Sequence, residues 1–177
     1  MIISVASGKG GTGKTTVATS FALSCDNVQL LDCDVEEPNS HIFMQPDFRE
    51  TKPVAILVPE IDKDACTQCG ACKKACLYNA IAVLGTSVLV FPELCHGCGA
   101  CSYVCPTGAI KEIPHEIGDV QKGAGRGIPF VHGRLNIGAA MAPPIIRKVK
   151  AEIDPEKTII IDAPPGTSCP VISSIKD

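Results

Sequence analysis

The stretch "VASGKGGTGKTT", residues 5–16, satisfies the phosphate-loop pattern G-x-x-x-x-G-K-[ST] from Gly8 to Thr15. It follows "IISVA" (2–6), a β-branched apolar run that predicts a buried strand, and it leads into "KTTVATSFALSC" (14–25), whose spacing predicts a helix. A phosphate loop needs this order, because glycines turn backbone N–H groups inward and the helix N-terminus adds a favourable dipole. An ordinary glycine-rich turn is the alternative, and the strand–loop–helix setting disfavours it.

The side chains of this loop have separate expected roles. Lys14 is expected to meet the β- and γ-phosphates of ATP, and the Thr15 hydroxyl is expected to ligate Mg²⁺. Lys9 is a second lysine that the pattern does not require, and a solvated loop side chain is its alternative reading. The full set expected to hold the nucleotide comprises Gly8, Gly10, Gly11, Thr12, Gly13, Lys14, Thr15 and Thr16.

Acidic residues end two further predicted strands. "VQLLDC" (28–33) runs into Asp32 and Asp34, and "TIIIDAPPG" (158–166) contains Asp162. Ligands of open parallel sheets bind beyond the carboxyl ends of the strands. We therefore expect these carboxylates to border the phosphate loop.

The remaining flanking segments predict more of the same sheet. Strands are predicted in "VAILV" (54–58) and "FVHGRLNIG" (130–138), and a helix in "PPIIRKVKAEI" (143–153). The glycine-rich "GDVQKGAGRGIP" (118–129) is interpreted as a loop. Alternating strands and helices predict an α/β domain with a parallel sheet.

Between residues 60 and 115 the composition changes to cysteine, glycine and alanine. "CTQCGACKKACLYNAIAV" (66–83) and "CHGCGACSYVCPTGAIKE" (95–112) match at 8 of 18 positions with an offset of 29 residues, which predicts a small pseudo-symmetric domain. Each repeat carries the spacing C-x2-C-x2-C-x3-C. The two runs, which hold eight of the eleven cysteines, are Cys66, Cys69, Cys72 and Cys76, then Cys95, Cys98, Cys101 and Cys105.

This spacing resembles that of bacterial ferredoxins with two [4Fe–4S] clusters. The resemblance implies that the fourth cysteine of each run ligates the other cluster. Two zinc Cys₄ sites are an alternative that the close spacing disfavours, and disulfides are another. The implied ligand sets are Cys66, Cys69, Cys72 and Cys105 for one cluster, and Cys95, Cys98, Cys101 and Cys76 for the other.

The other cysteines and His96 receive plainer interpretations. Cys25, Cys33 and Cys169 are interpreted as small apolar residues in or beside core elements. His96 follows a predicted cluster ligand, and we interpret it as a surface histidine rather than a residue that tunes the cluster.

"KGGTGKTT" resembles the deviant Walker A motif of the MinD/ParA/Mrp class of P-loop ATPases, which includes the nitrogenase iron protein. The resemblance implies that Lys9 reaches the partner's phosphates across a nucleotide-dependent homodimer, much as an arginine finger does. It also implies that Asp34 orients the attacking water and that Asp162 holds Mg²⁺ through water. Asp32 is expected near Mg²⁺, and Gly166 is expected to sense the γ-phosphate.

The whole arrangement resembles MinD-type ATPases that carry an inserted ferredoxin domain. It implies a three-layer, parallel-sheet P-loop NTPase domain formed by residues 1–59 and 116–177, with a small α+β ferredoxin-like insertion at 60–115. Members of this class continue well past the segment matched by 158–166. We therefore expect the chain to be shorter than such proteins, to expose the sheet edge after the Asp162 strand, and to bind nucleotide weakly on its own.

Function follows as a set of hypotheses. The first is an ATPase that couples hydrolysis to electron transfer through two [4Fe–4S] clusters to an unknown redox partner. The second is a cluster-assembly or carrier ATPase of the Mrp type that serves a cluster-accepting protein, and the third is a non-hydrolysing switch scaffold. A net charge of −3 and the absence of a long apolar run lead us to expect no nucleic acid, no membrane and a cytoplasmic location.

Overall fold

A computed structural model describes residues 1–176, which form two compact units. The sheet unit comprises Met1–Val54, Gly118–Asn136 and the described residues from Met141 onward. The cysteine unit comprises Ala55–Ile117 and Ile137–Ala140. Asp177, the last residue of the predicted ATPase segment, lies outside the described residues.

The elements alternate between strands and helices along most of the chain, as the sequence predicts. The strands are β1 (Ile2–Ser7), β2 (Val28–Asp32), β3 (Asp47–Ile61), β4 (Ile81–Leu84), β5 (Ser87–Val90), β6 (Ile110–Gly125), β7 (Ile128–Leu135) and β8 (Thr158–Pro165). The helices are α1 (Lys14–Ser24), α2 (Ser40–Met44), α3 (Ala71–Ala75), α4 (Ala100–Tyr103), α5 (Ala142–Lys150) and α6 (Cys169–Ile175), with a short 3-10 turn at Pro92–Leu94.

The main sheet is mixed and mostly parallel. Its six strands lie in the order β1-β8-β2-β7-β6-β3. The neighbours from β1 to β7 in this order pair in parallel, whereas β6 and β7 pair antiparallel. The predicted α/β class with a parallel sheet is therefore confirmed in its main part, and the antiparallel hairpin is an addition to it.

Apolar side chains of the central strands and of α1 form the core of the sheet unit. Leu30 and Ile160 are fully buried and pack with Phe130, while Ala18 and Ala22 present small side chains from α1 to the same cluster. Each large aliphatic side chain buried in this way contributes roughly 1.5–3 kcal/mol. This packing fixes α1, and with it the loop before α1, against the sheet.

The interpretation of 118–129 as a loop is wrong, because Gly118, Gly123 and Gly125 lie within strand β6. A Cβ added at Gly123 would lie 2.2 Å from the carbonyl oxygen of Asp47, and one at Gly125 would lie 2.2 Å from that of Met44. Neighbouring backbone therefore occupies the space that a side chain would need. Glycine in a strand can mark such a close approach as well as a break.

The expectation of an exposed edge beside the Asp162 strand is also wrong. Strand β8 lies between β1 and β2, and β1 is an edge strand of the sheet. Ile2 on β1 is 54% exposed, and it lines a cavity of about 670 Å³ together with Ile161 and Ile172. The sheet unit thus has exposed apolar surface, but this surface lies beside β1 and not beside β8.

The cysteine unit shows its internal repeat as structure. Helices α3 and α4 begin after Gly70 and Gly99, which are 29 residues apart and both have left-handed backbone angles, with φ of 79° and 72°. The third cysteine of each run lies on its helix, and both side chains pack in one small core around Ile81. Strands β4 and β5 form an antiparallel hairpin in the same unit.

Within residues 1–176, no helix combines the length and the apolar character that crossing a membrane would require.

Candidate phosphate-loop and cysteine sites

The glycine-rich loop connects β1 directly to α1, as predicted. Gly11 and Gly13 have φ of 71° and 86°, which most side chains would not tolerate. A Cβ added at Gly8, Gly10, Gly11 or Gly13 would meet no atom within 4 Å. The space above the loop is therefore open, and the absence of side chains leaves the backbone accessible to a ligand.

Lys9 lies in a short hydrogen-bonded turn of this loop. The Ser7 hydroxyl donates to the Lys9 carbonyl oxygen at 3.1 Å and accepts from the Lys9 N–H at 3.2 Å, while the Thr12 hydroxyl donates to the same carbonyl at 3.4 Å. These bonds hold the backbone, and the Lys9 residue is exposed. Lys14 is buried by contrast, with 9% of its surface exposed.

Two carboxylates lie side by side on adjacent strands, Asp32 at the end of β2 and Asp162 within β8. Asp32 and Asp162 are partners in the β2–β8 register, and both are buried. Ser40 bridges them, because its N–H donates to Asp32 Oδ2 and its hydroxyl donates to Asp162 Oδ2, each at 3.0 Å. Asp162 Oδ1 is buried without a hydrogen-bond partner among the described residues. That oxygen is available to a ligand.

Burial raises the pKa of all three acids expected here, and repulsion between the acids adds to the rise at Asp32 and Asp34. Burial raises the pKa of Asp32 well above its ordinary value, and the neighbouring Asp162 adds to the effect. Burial also raises the pKa of Asp34 to about 6, again reinforced by Asp162 and opposed by Lys14. For Asp162 the rise due to burial is countered by Thr15, Ser40 and Lys14. A group of carboxylates that is costly to ionise favours a bound cation.

Replacing Asp34 with asparagine is expected to stabilise the nucleotide-free chain at pH 7.5 by about 1 kcal/mol. The pKa of Asp34 is raised when folded, so its carboxylate destabilises the fold above pH 6, and protonation relieves this as the pH falls toward 4. Chemical unfolding at pH 7.5 and pH 5 should show the gain shrinking at the lower pH. The exposed Asp26→Asn makes the same chemical change elsewhere in the sheet unit and serves as control. An Asp34→Asn gain that does not change with pH would contradict the assignment.

Ser40 is the residue of this site that the sequence analysis missed. It begins the short helix α2, in the proline-containing stretch between β2 and β3. Its spacing from Asp32 follows no motif, so only the fold reveals the bridge. Gly166, which the sequence singled out, donates its N–H to the Ser7 carbonyl oxygen at 3.0 Å and has φ of 100°.

In the cysteine unit, two small cavities divide the eight cysteines into two sets of four. One cavity is lined by what we call the first cysteine set, and the other by the second cysteine set. Each set takes three cysteines from one run and the fourth from the other run, as the crossed ligation would require. The first set is Cys66, Cys69, Cys72 and Cys105, and the second is Cys95, Cys98, Cys101 and Cys76.

Backbone N–H groups point at several of these sulfur atoms. The Ala80 N–H donates to Cys76 Sγ at 3.3 Å, and the Gly97 N–H donates to Cys95 Sγ at 3.4 Å. Burial raises the pKa of Cys72, Cys95 and Cys101, so these thiols ionise readily only beside positive charge. A cluster of iron ions supplies such charge.

Cys105 differs from the other cysteines in its hydrogen bonds. Burial alone would raise its pKa, but the Thr107 hydroxyl and the N–H groups of Thr107, Ala109 and Gly108 act in the other direction and lower it. Its sulfur lies 3.8 Å from the Thr107 hydroxyl oxygen. The thiolate form of Cys105 is thus stabilised by the chain itself.

The structure differs from the interpretation of His96 as a surface residue. His96 is half-buried and lines the cavity of the second cysteine set. Its ring stacks on that of Tyr78, with centroids 3.5 Å apart and an interplanar angle of 6°. The sequence places these residues 18 positions apart, in different repeats, so their contact could not be predicted from spacing.

The donors of the cysteine unit fit [4Fe–4S] clusters better than single ions. Across the described part of the chain, no three His, Cys, Asp or Glu side chains are grouped so as to hold one metal ion. A cubane spreads its four thiolate ligands farther apart than one ion does, and four sulfurs with nearby N–H donors suit it. The eight cysteines named above would hold such clusters.

Comparison with known proteins agrees with this assignment for the middle of the chain. The chain is 37% identical over its whole length to the uncharacterized protein MJ0578 of Methanocaldococcus jannaschii, and 28% identical over 99% of its length to the uncharacterized protein MJ0579 of the same organism. It spans 64% and 65% of the lengths of these two relatives. Residues 59–112 match the 4Fe-4S dicluster domain family. This segment of the chain is accordingly a 4Fe-4S dicluster domain.

Proposed function

We propose that this iron–sulfur protein binds Mg-ATP at the loop from Gly8 to Thr15 and that hydrolysis there regulates electron transfer through two [4Fe–4S] clusters. The 4Fe-4S dicluster domain indicates a protein of the electron-transfer type. The nucleotide part rests on one observation. Lys14 and Thr15, at the end of the loop, lie near the carboxylates of Asp34 and Asp162 in the sheet unit.

The electrostatics of this place suit a magnesium-bound triphosphate. Lys14 and Thr15 both affect the pKa of Asp162, so the phosphate-binding lysine and the Mg²⁺-binding hydroxyl adjoin that carboxylate. The unpartnered Asp162 Oδ1 can accept from a Mg²⁺-bound water. Thr15 and Asp162 would hold Mg²⁺, which when bound neutralises charge on the phosphates.

Asp34 suits the role of orienting water for hydrolysis. Its pKa of about 6 leaves it mostly ionised at neutral pH, so it can accept a hydrogen bond from the water that attacks the γ-phosphorus. The bond between that phosphorus and the bridging oxygen of ADP then breaks, which yields ADP and phosphate. Lys9, whose side chain is free of the turn that fixes its backbone, would supply its charge to a second copy of the chain.

The coupling can be tested by stopped-flow oxidation of the dithionite-reduced chain by a one-electron quinone acceptor. Rates are compared with Mg-ATP, with Mg-ADP and without nucleotide. We expect ATP to change the rate by about tenfold, because a coupling energy of about 1.4 kcal/mol lies in the range of ordinary allosteric effects. Binding of Mg-ATP is measured in parallel, so that saturation is known.

Three other results would each contradict part of the proposal. Equal rates with saturating nucleotide would refute coupling. Transfer of iron and sulfide to an apo-ferredoxin during turnover would favour the carrier ATPase. Tight ATP binding with no phosphate release would favour the switch scaffold.

A further inference from the structure

The two cysteine sets are related by the internal repeat, so differences between them can be assigned position by position. An offset of 29 residues pairs Tyr78 with Thr107, and His96 with Thr67. Because the fourth cysteine of each set comes from the other run, Thr67 and Thr107 both lie at the first set, and Tyr78 and His96 both lie at the second. Two hydroxyls in one site thus correspond to two stacked rings in the other.

The hydroxyl side of this comparison favours negative charge on the first set. The Thr107 hydroxyl oxygen lies 3.8 Å from Cys105 Sγ. At the equivalent cysteine, Cys76, the corresponding residue is Tyr78, whose ring stacks on that of His96. Hydrogen bonds to ligand sulfurs stabilise the more negative, reduced form of a cluster and so raise its reduction potential.

The other side of the comparison disfavours negative charge at the second set. The stacked rings of Tyr78 and His96 line its cavity, at the positions where the first set has its two hydroxyls. The carboxylate of Glu112 lines the same cavity, with Oε1 3.2 Å from where a Cβ of Gly99 would stand. The equivalent repeat position is the uncharged Val83. A nearby negative charge opposes reduction.

We propose that the Thr107 hydroxyl at the first cysteine set and the Glu112 carboxylate at the second make the two sites unequal, so that a single electron resides at the first set. This inference rests on the electron-transfer part of the proposed function. One electron leaves a reduced [4Fe–4S]⁺ at the second set and converts [4Fe–4S]²⁺ to [4Fe–4S]⁺ at the first, and no proton or further reactant takes part. Electrons leave the protein from the first set, and an external low-potential donor reduces the cluster of the second set.

The test is a dithionite titration of the reconstituted chain without nucleotide, at one fixed pH, followed by electron paramagnetic resonance. Two one-electron waves are expected, an upper wave for the first set and a lower wave for the second. Their potentials should differ by at least about 59 mV, which corresponds to about a tenfold difference in the reduced-to-oxidised ratio. Thr107→Val should lower the potential of the upper wave, so that the reduced-to-oxidised ratio of the first cluster falls about threefold at a given potential. The lower wave should stay in place. Glu112→Gln should raise the lower wave alone.

Controls separate this inference from the proposals on which it rests. Thr51→Val makes the same chemical change on an exposed residue of the sheet unit and should move neither wave. Two unresolved waves, or a Thr107→Val shift of the lower wave, would overturn the inference while leaving ATP coupling untouched. Because no nucleotide is present, failure of that coupling leaves the titration unchanged. A chain that binds iron for one cluster only would overturn both proposals.

Discussion

Replacing Lys14 with methionine is expected to weaken Mg-ATP binding about 100-fold, which corresponds to about 2.7 kcal/mol. Lys14 is the buried cation of the loop, and its ammonium group acts on both Asp34 and Asp162. Methionine keeps the length of the side chain but removes the charge that would meet the phosphates. It also leaves these two carboxylates without their nearby cation, so phosphate would approach an uncompensated negative site.

Isothermal titration calorimetry with Mg-ATP measures this loss, and Lys148→Met is its matched control. Lys148 is an exposed residue of α5, so the control makes the same chemical change away from the loop. The control should bind as the unaltered chain does. If Lys14→Met binds equally well, the nucleotide proposal is wrong, whereas if both variants lose binding, the effect is one of net charge.

The second large effect tests how the cysteines are shared. With crossed sets, Cys76→Ser and Cys98→Ser damage the same cluster, so the double variant should retain about four irons of the about eight expected for two clusters. Cys76→Ser with Cys69→Ser damages both clusters, so this variant should retain close to none. The two double variants change the same number of cysteines and share one position, which makes each the control of the other.

Iron and acid-labile sulfide are measured after anaerobic reconstitution. If each run held its own cluster, the results would be reversed, because Cys69 and Cys76 would then belong together. Equal losses in the two variants would show that the cysteine unit folds only when fully loaded, and the single variants Cys76→Ser and Cys105→Ser would then both lose all iron.

The parts of the structure that could be predicted are those where local chemistry requires particular residues. The loop glycines are needed because the backbone turns through left-handed angles at Gly11 and Gly13, and the proposed nucleotide would have to approach it closely. The cysteine spacing is recognisable for a similar reason, because three thiolates at short intervals suit one face of a cubane. Both patterns can therefore be recognised in the sequence without knowledge of the tertiary structure.

The parts that escaped prediction depend on contacts between distant segments. The glycines of β6 look like a loop because glycine is a usual breaker, but the Asp47 and Met44 carbonyls require its small size in a strand. Ser40 bridges acids on two adjacent strands from a helix whose position depends on the whole sheet. The insertion of β8 between β1 and β2 follows from topology, and the sequence carries no local sign of strand order.

That strand order has a consequence for synthesis on the ribosome. The glycine-rich loop follows β1, early in the sequence, but Asp162, the acid beside it, lies on β8 (Thr158–Pro165). A nascent chain translated at roughly 5–20 residues per second therefore exposes all eight run cysteines, the last at Cys105, several seconds before β8 emerges. The thiols have to survive, or acquire iron, in a chain whose first strand still lacks its neighbour.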